Sequence, residues 1–137
     1  LVTPVVELGA GTGAGTRVLA DRVEHTVAGD LAGEMLRHLP STLADRVQLD
    51  ASALPFADRG VGTLVCVNML LFADEVRRVL APGGALVWVS SIGERTPIHL
   101  SAQAVAAALG EEFELTASRC GWGTWAVARR RSQGPLG

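Results

Sequence analysis

Short apolar runs alternate along this chain with stretches whose apolar positions recur at helical spacing. Val5, Val6 and Leu8 make a first strand over 5–8 that stops at a string of glycines. Val18, Leu19 and Val23 then predict a helix over 16–23. A second strand over 25–30 ends on Asp30, and a second helix follows over 32–39, with Met35, Leu36 and Leu39 inward and Pro40 as its stop. A third strand over 46–50 ends on another acid, Asp50. Residues 51–60 read as loop, the fourth strand lies within 61–71, and 73–80 is a helix closed by Ala81-Pro82-Gly83-Gly84. The fifth strand, 85–91, is apolar throughout its centre, as a central parallel strand is. Residues 100–109 form a helix with Ser101 as its N-cap and Gly110 as its stop. The last two strands, 113–118 and 124–130, are joined through Cys120-Gly121-Trp122-Gly123. A link that tight makes an antiparallel pair, because a parallel return needs a crossover.

The expected architecture is an α/β three-layer sandwich of about seven strands, five of them parallel and the last two an antiparallel hairpin. One domain covers 1–131, and 132–137 reads as a disordered tail. Ligands of such sheets bind outside the carboxyl ends of the parallel strands. The positions to interrogate are therefore 9–13, Asp30, Asp50, Asn68 and 91–97.

Composition narrows the partners. At 137 residues, with 48% hydrophobic and 19% charged, the chain can build a core without disulfides or metals. All 12 basic residues are arginine, and 14 acids bring the net charge to -2. No basic stripe marks a nucleic-acid surface, and Arg129, Arg130 and Arg131 read as the solvated end of the last strand. Cys66 and Cys120 read as free thiols of a reducing compartment. The three histidines and two cysteines lack metal-ligand spacing, so no metal is expected. No apolar run approaches the roughly 20 residues of a membrane span, and the start lacks the pattern of a signal peptide. The expected location is the cytoplasm. The chain opens on Leu1 and not on Met, which leaves open that upstream residues have been removed.

The densest chemical signal is the segment 7–16, "ELGAGTGAGT". Gly9, Gly11 and Gly13 suit a turn at which backbone N–H groups approach a ligand. Gly9, Gly11 and Ala14 also satisfy the dinucleotide fingerprint with alanine in third place. Asp30, 21 positions after Gly9, can accept hydrogen bonds from the two hydroxyls of an adenosine ribose. A nicotinamide dinucleotide and S-adenosylmethionine both carry that ribose, so the two readings stay open at this point.

Asp50 separates them. A third strand ending in an acid and followed by "ASALPFAD" is not part of the dinucleotide pattern. It resembles the class I S-adenosylmethionine-dependent methyltransferases, as do "VVELGAGTG", "AGDLAGEML", "LDASALPFAD" and "EVRRVLAPGGALVWV", in that order. The small size and arginine-only basic composition resemble an actinobacterial-type member. The resemblance covers most of the chain and implies a Rossmann-like fold, with S-adenosyl-L-methionine as cofactor and S-adenosyl-L-homocysteine as product. It also implies site roles. Glu7 would steady the glycine loop and help hold the methionine ammonium group through water. Gly9, Ala10, Gly11 and Gly13 would line the amino-acid moiety. Asp30 would bind the ribose, with Leu31 and Met35 against the adenosine. Asp50, Ala51 and Ser52 would define the adenine end, and Asn68 the place where sulfonium and substrate meet. The plainer reading of Met35 is helix core, and that of Asn68 a strand-end turn.

The chain departs from the family in three places. "NMLLFADEV" makes a short connection after the fourth strand, Val61-Gly62 replaces the usual Phe-Asp before it, and the N-terminal cap helices of relatives have no counterpart before the first strand. Methyl transfer from a sulfonium needs alignment more than a base, and His99 is the one candidate base, with a structural histidine as the plainer reading. His25 and His38 read as surface residues, and Trp122 and Trp125 as packing the hairpin onto the sheet. The expected function is methyl transfer to a small-molecule acceptor, with neither nucleic acid nor membrane as partner and a homodimer left open. Two other readings are a non-catalytic module that binds S-adenosylmethionine without an acceptor cap, and a small NAD-dependent oxidoreductase. The absence of tyrosine removes the common Tyr-Lys pair from the last.

Overall fold

A computed structural model describes residues 1–132. In chain order its elements are β1 (Val5–Leu8), α1 (Ala14–Ala20), β2 (Thr26–Asp30), α2 (Gly33–Leu36), β3 (Asp45–Gln48), β4 (Val61–Val67) and α3 (Ala73–Val79). There follow β5 (Leu80–Ser90), a single 3-10 turn (Gly93–Arg95), α4 (Ala102–Leu109), β6 (Phe113–Cys120) and β7 (Gly123–Arg130). The strands form one sheet in the order β3-β2-β1-β4-β5-β7-β6. The first five are parallel, and β7 runs antiparallel to both β5 and β6. This is the Rossmann-like sandwich expected. The strand order reverses between β1 and β4, which opens a crevice at their carboxyl ends.

The apolar runs account for the core. All four residues of β1 and six of the seven in β4 are buried, because helices cover both faces of a central parallel strand. On one face Leu64, Leu80 and Leu86 pack with Val76 and Val79 of α3 and with Val105 and Leu109 of α4. On the other, Leu19 of α1 meets Val5 and Val65, while Leu36 and Leu39 join Ala10, Ala28 and Ala44. The Ser101 hydroxyl caps α4 by accepting from the Ala104 N–H at 3.1 Å, and Gly110 ends it at φ +88°.

Several local expectations are corrected. α2 is a single turn, and the chain reaches Leu39 through turns of the i→i+3 kind, so Leu36 and Leu39 still point inward. Met35 does not; it is 43% exposed. The third strand ends at Gln48, and Asp50 instead makes an isolated bridge with Ala53. Ala81-Pro82-Gly83-Gly84 does not break the fifth strand but lies within it, absorbed by an irregularity in its pairing with β4. Cys120 pairs with Gly123, leaving Gly121 (φ +59°) and Trp122 as a two-residue turn of the kind that places glycine first. Trp122 is 79% exposed and does not pack the hairpin down. The expected tail lies, from residue 133 on, outside the described residues. Among the described residues, no helix is long and apolar enough to cross a membrane.

Candidate functional site

The loop leaving β1 is built around left-handed backbone, with Gly9 at φ +69°, Gly11 at +57° and Gly13 at +99°. The positive φ favours glycine at Gly9, and a Cβ there would also have to displace the Met69 thioether. Beneath the loop lies Glu7, buried and accepting a hydrogen bond from the Thr16 hydroxyl. A Cβ at Gly15 would collide with the Glu7 carboxylate, so this glycine lets α1 start directly above β1. Burial pushes the Glu7 carboxyl up, and the Thr16 bond offsets part of that. Cys66, buried at the end of β4, is pushed up to about 12 by its burial, with the Glu7 charge adding to it, and is no nucleophile.

Two acids close the neighbouring strands in different ways. Asp30 spans two loops: Oδ2 accepts from the Gly11 N–H at 2.7 Å and Oδ1 from the Ala32 N–H at 2.9 Å. A carboxylate offers about four lone-pair sites, so each oxygen keeps capacity for a ligand hydroxyl. Asp50 is exposed and folds onto its own turn, accepting from the Ser52 N–H at 2.8 Å and the Ser52 hydroxyl at 2.6 Å. The hydroxyl bond, then the N–H bond, hold its carboxyl below the usual range.

At the crevice, Asn68 adopts φ +54°, unusual for any residue but glycine and tolerated best by asparagine and aspartate. Its N–H donates to the Val89 carbonyl at 2.9 Å. Its side-chain oxygen accepts from the Ser91 N–H at 2.9 Å, and Nδ2 donates to the Ser91 hydroxyl at 2.8 Å. The ends of β4 and β5 are thereby locked together.

These strand ends surround a cleft of about 320 Å³. Gly9, Asp30, Leu31, Ala51 and Asn68 line it, all five singled out from the sequence. Leu49, Met69, Leu70, Phe72 and Ile98 complete the walls, and sequence reasoning missed them. The signal for Met69, Leu70 and Phe72 was the apolar run directly after a parallel strand, "NMLLF", which has no periodicity of its own. Other expected residues lie outside the walls: Glu7, Ala10 and Gly13 are buried, Gly11 reaches the site through its bond to Asp30, and Met35, Asp50 and Ser52 are exposed nearby in sequence. His99 belongs to a neighbouring cleft of about 230 Å³, beside Trp88, with Nδ1 3.2 Å from the Ser90 hydroxyl. The chain turns from one cleft to the other between Ile98 and His99.

Asp30 is the only titratable side chain among the ten lining residues. A single carboxylate between apolar walls suits a ligand that joins a diol to a flat ring, held without acid–base chemistry. In fold, the chain matches a solved S-adenosylmethionine-dependent methyltransferase from Mesorhizobium loti with a TM-score of 0.71 at 16% identity, covering 92% of this chain and 90% of that one. Residues 6–88 match the family described as the methyltransferase domain, and the chain belongs to that family. A biotin biosynthesis bifunctional protein of Cellvibrio japonicus is 36% identical over 108 residues, which is 72% of this chain and 21% of that protein. An uncharacterized methyltransferase of Mycobacterium bovis is 38% identical over 94 residues, 61% of this chain and 39% of the relative. The chain thus spans less than two fifths of the length of either curated relative.

Proposed function

We propose that this chain binds S-adenosyl-L-methionine in the cleft at the carboxyl ends of β1, β2 and β4 and transfers its methyl group to a small-molecule acceptor, leaving S-adenosyl-L-homocysteine. The observation that carries the reading is Asp30, a carboxylate with spare lone pairs on the wall of a cleft that Gly9 also lines. The donor set fits the cofactor. Asp30 accepts the ribose hydroxyls, and Leu31, Ala51 and Phe72 offer apolar walls to the adenine. Asp50, fixed by Ser52, is the acid for the adenine amino group. The glycine loop faces the methionine end, and Glu7 holds that loop from below.

When bound, the cofactor supplies an activated methyl group open to in-line displacement. The residues of this chain orient the reactants and exclude water. Asn68 and Ser91 fix the strand ends over which an acceptor approaches, and Leu70 and Ile98 wall that approach. The rate then comes from alignment at near-attack distance, with no base required. Incubation with methyl-labelled S-adenosylmethionine and a panel of hydroxyl, amine and carboxyl acceptors tests this. Label transferred to one acceptor class is the expected outcome. Tight cofactor binding with no transfer to any of them would favour the non-catalytic module instead.

A further inference from the structure

Exposed apolar residues are not spread evenly over this molecule. Nine large apolar side chains are exposed among the described residues. Leu1, Val2 and Val18 lie elsewhere; the other six, Leu31, Met35, Leu70, Ile92, Ile98 and Trp122, all follow the carboxyl ends of strands or form the hairpin turn beside them. Leu31, Leu70 and Ile98 line one cleft, and Asn68, also in its wall, is bonded to Ser91, the neighbour of Ile92. Trp122 reaches the same rim, its carbonyl lying against Gly93. Apolar surface gathered in this way marks a binding site and not ordinary solvent-facing surface.

Charge is nearly absent from the walls of the cleft itself. No arginine lines the cleft, and its one acid, Asp30, is bonded to the Gly11 and Ala32 N–H groups. Glu94 and Arg119 neutralise each other by an ion pair. Arg95, on the same turn, is exposed and lines neither cleft. An anionic or phosphorylated acceptor would find no counter-charge in these walls, and a nucleic acid no phosphate track. The polar groups at the approach are the Asn68 amide and the Ser91 hydroxyl, enough for one heteroatom.

We infer that the acceptor is a neutral, largely apolar small molecule with a single reacting heteroatom. Its body rests on Leu70, Ile92, Ile98 and Trp122, and its heteroatom faces the Asn68–Ser91 pair. This rests on the reading of the cleft as the cofactor site. The test uses the chain loaded with S-adenosylhomocysteine, loading being checked first by calorimetry. The neutral fluorophore N-phenyl-1-naphthylamine is then titrated in and displaced by a series of 4-alkylphenols. The expected result is saturable fluorophore binding that salt leaves unchanged, with phenol affinity rising roughly fourfold per added methylene. Ile92→Asp and Trp122→Ser, at exposed positions outside the cofactor cleft, should each weaken the phenols about tenfold while homocysteine-product affinity stays at the wild-type value. Failure to load would overturn the cofactor reading and this inference with it. Loading followed by a flat phenol series, or by salt-dependent binding of an RNA oligonucleotide, would overturn the inference alone. So would a sedimentation result in which the loaded protein is a dimer that excludes the fluorophore and that Ile92→Asp dissociates, because the rim would then be covered by a second copy.

Discussion

At the amino edge of the sheet arginine forks tie down pairs of part-buried loop carbonyls, whereas the cleft at the carboxyl edge is tied down by backbone and by short polar side chains. Arginine there is kept to exposed contacts, Arg17 on the Thr12 carbonyl and Arg119 on Glu94. On the amino side, Arg78 donates to the carbonyls of Leu54 at 2.9 Å and Phe56 at 2.8 Å while pairing with Glu75 and Asp58. Arg130 donates to the carbonyls of Arg77 at 2.7 Å and Leu80 at 2.6 Å, pairs with Glu112 and lies 6.0 Å over the Phe113 ring. On the carboxyl side no arginine lines the cleft; Asp30 holds the Gly11 N–H of the glycine loop and the Ala32 N–H of its own turn, Asp50 holds its own turn, and Asn68 holds Ser91. The difference has a physical reason. A guanidinium fork satisfies two loop carbonyls at once and suits a closed end, but near a sulfonium it would place like charges together. Arg78 and Arg130, each meeting two carbonyls at once, stand at the end that only has to hold.

The contrast can be broken from either side, and the largest expected effect is at the amino edge. Arg130→Met strands two carbonyls and Glu112 and should cost about 3 kcal/mol in a denaturant melt. The folded fraction should bind S-adenosylhomocysteine as the wild type does. At the carboxyl edge, Gly9→Ala forces an alanine into φ +69° against Met69. A loss of about 1–2 kcal/mol is expected from the backbone strain, and product affinity by calorimetry should fall with it, which the arginine variant does not do.

A smaller, pH-dependent effect sharpens the role of the glycine loop's support. The folded Glu7 carboxyl is held above its ordinary 4.5, so the fold prefers the protonated form. That stabilisation is full below 4.5 and is lost as pH rises through the higher folded value. Glu7→Gln keeps the shape and cannot ionise. Chemical melts across this range should show wild-type stability falling toward neutrality relative to the variant, and a constant difference between the two would contradict the buried, protonation-linked role.

Much of this was legible in the sequence because the relevant signals are local. Strands read from short apolar runs, and Asp30 and Asn68 read as strand-end residues by position in a parallel sheet. The hairpin read from the tightness of its link. What was not legible depends on distant partners. Arg129, Arg130 and Arg131 look like a solvated run, yet Arg130 is largely buried, since the carbonyls it meets lie some fifty residues earlier. Met35 and Leu36 are neighbours in one helical pattern, yet in the single turn of α2 Leu36 is buried and Met35 exposed. Met69, Leu70 and Phe72 carry no periodicity, so their place in the wall follows from the left-handed turn at Asn68.

The most direct test of the central claim is calorimetric titration of S-adenosylhomocysteine into the wild type and into Asp30→Ala, with circular dichroism confirming that both are folded. The account expects one site in the wild type and an affinity about thirtyfold weaker in the variant, the scale of hydrogen bonds to a charged group. No binding to the wild type, or equal binding to both, would contradict it.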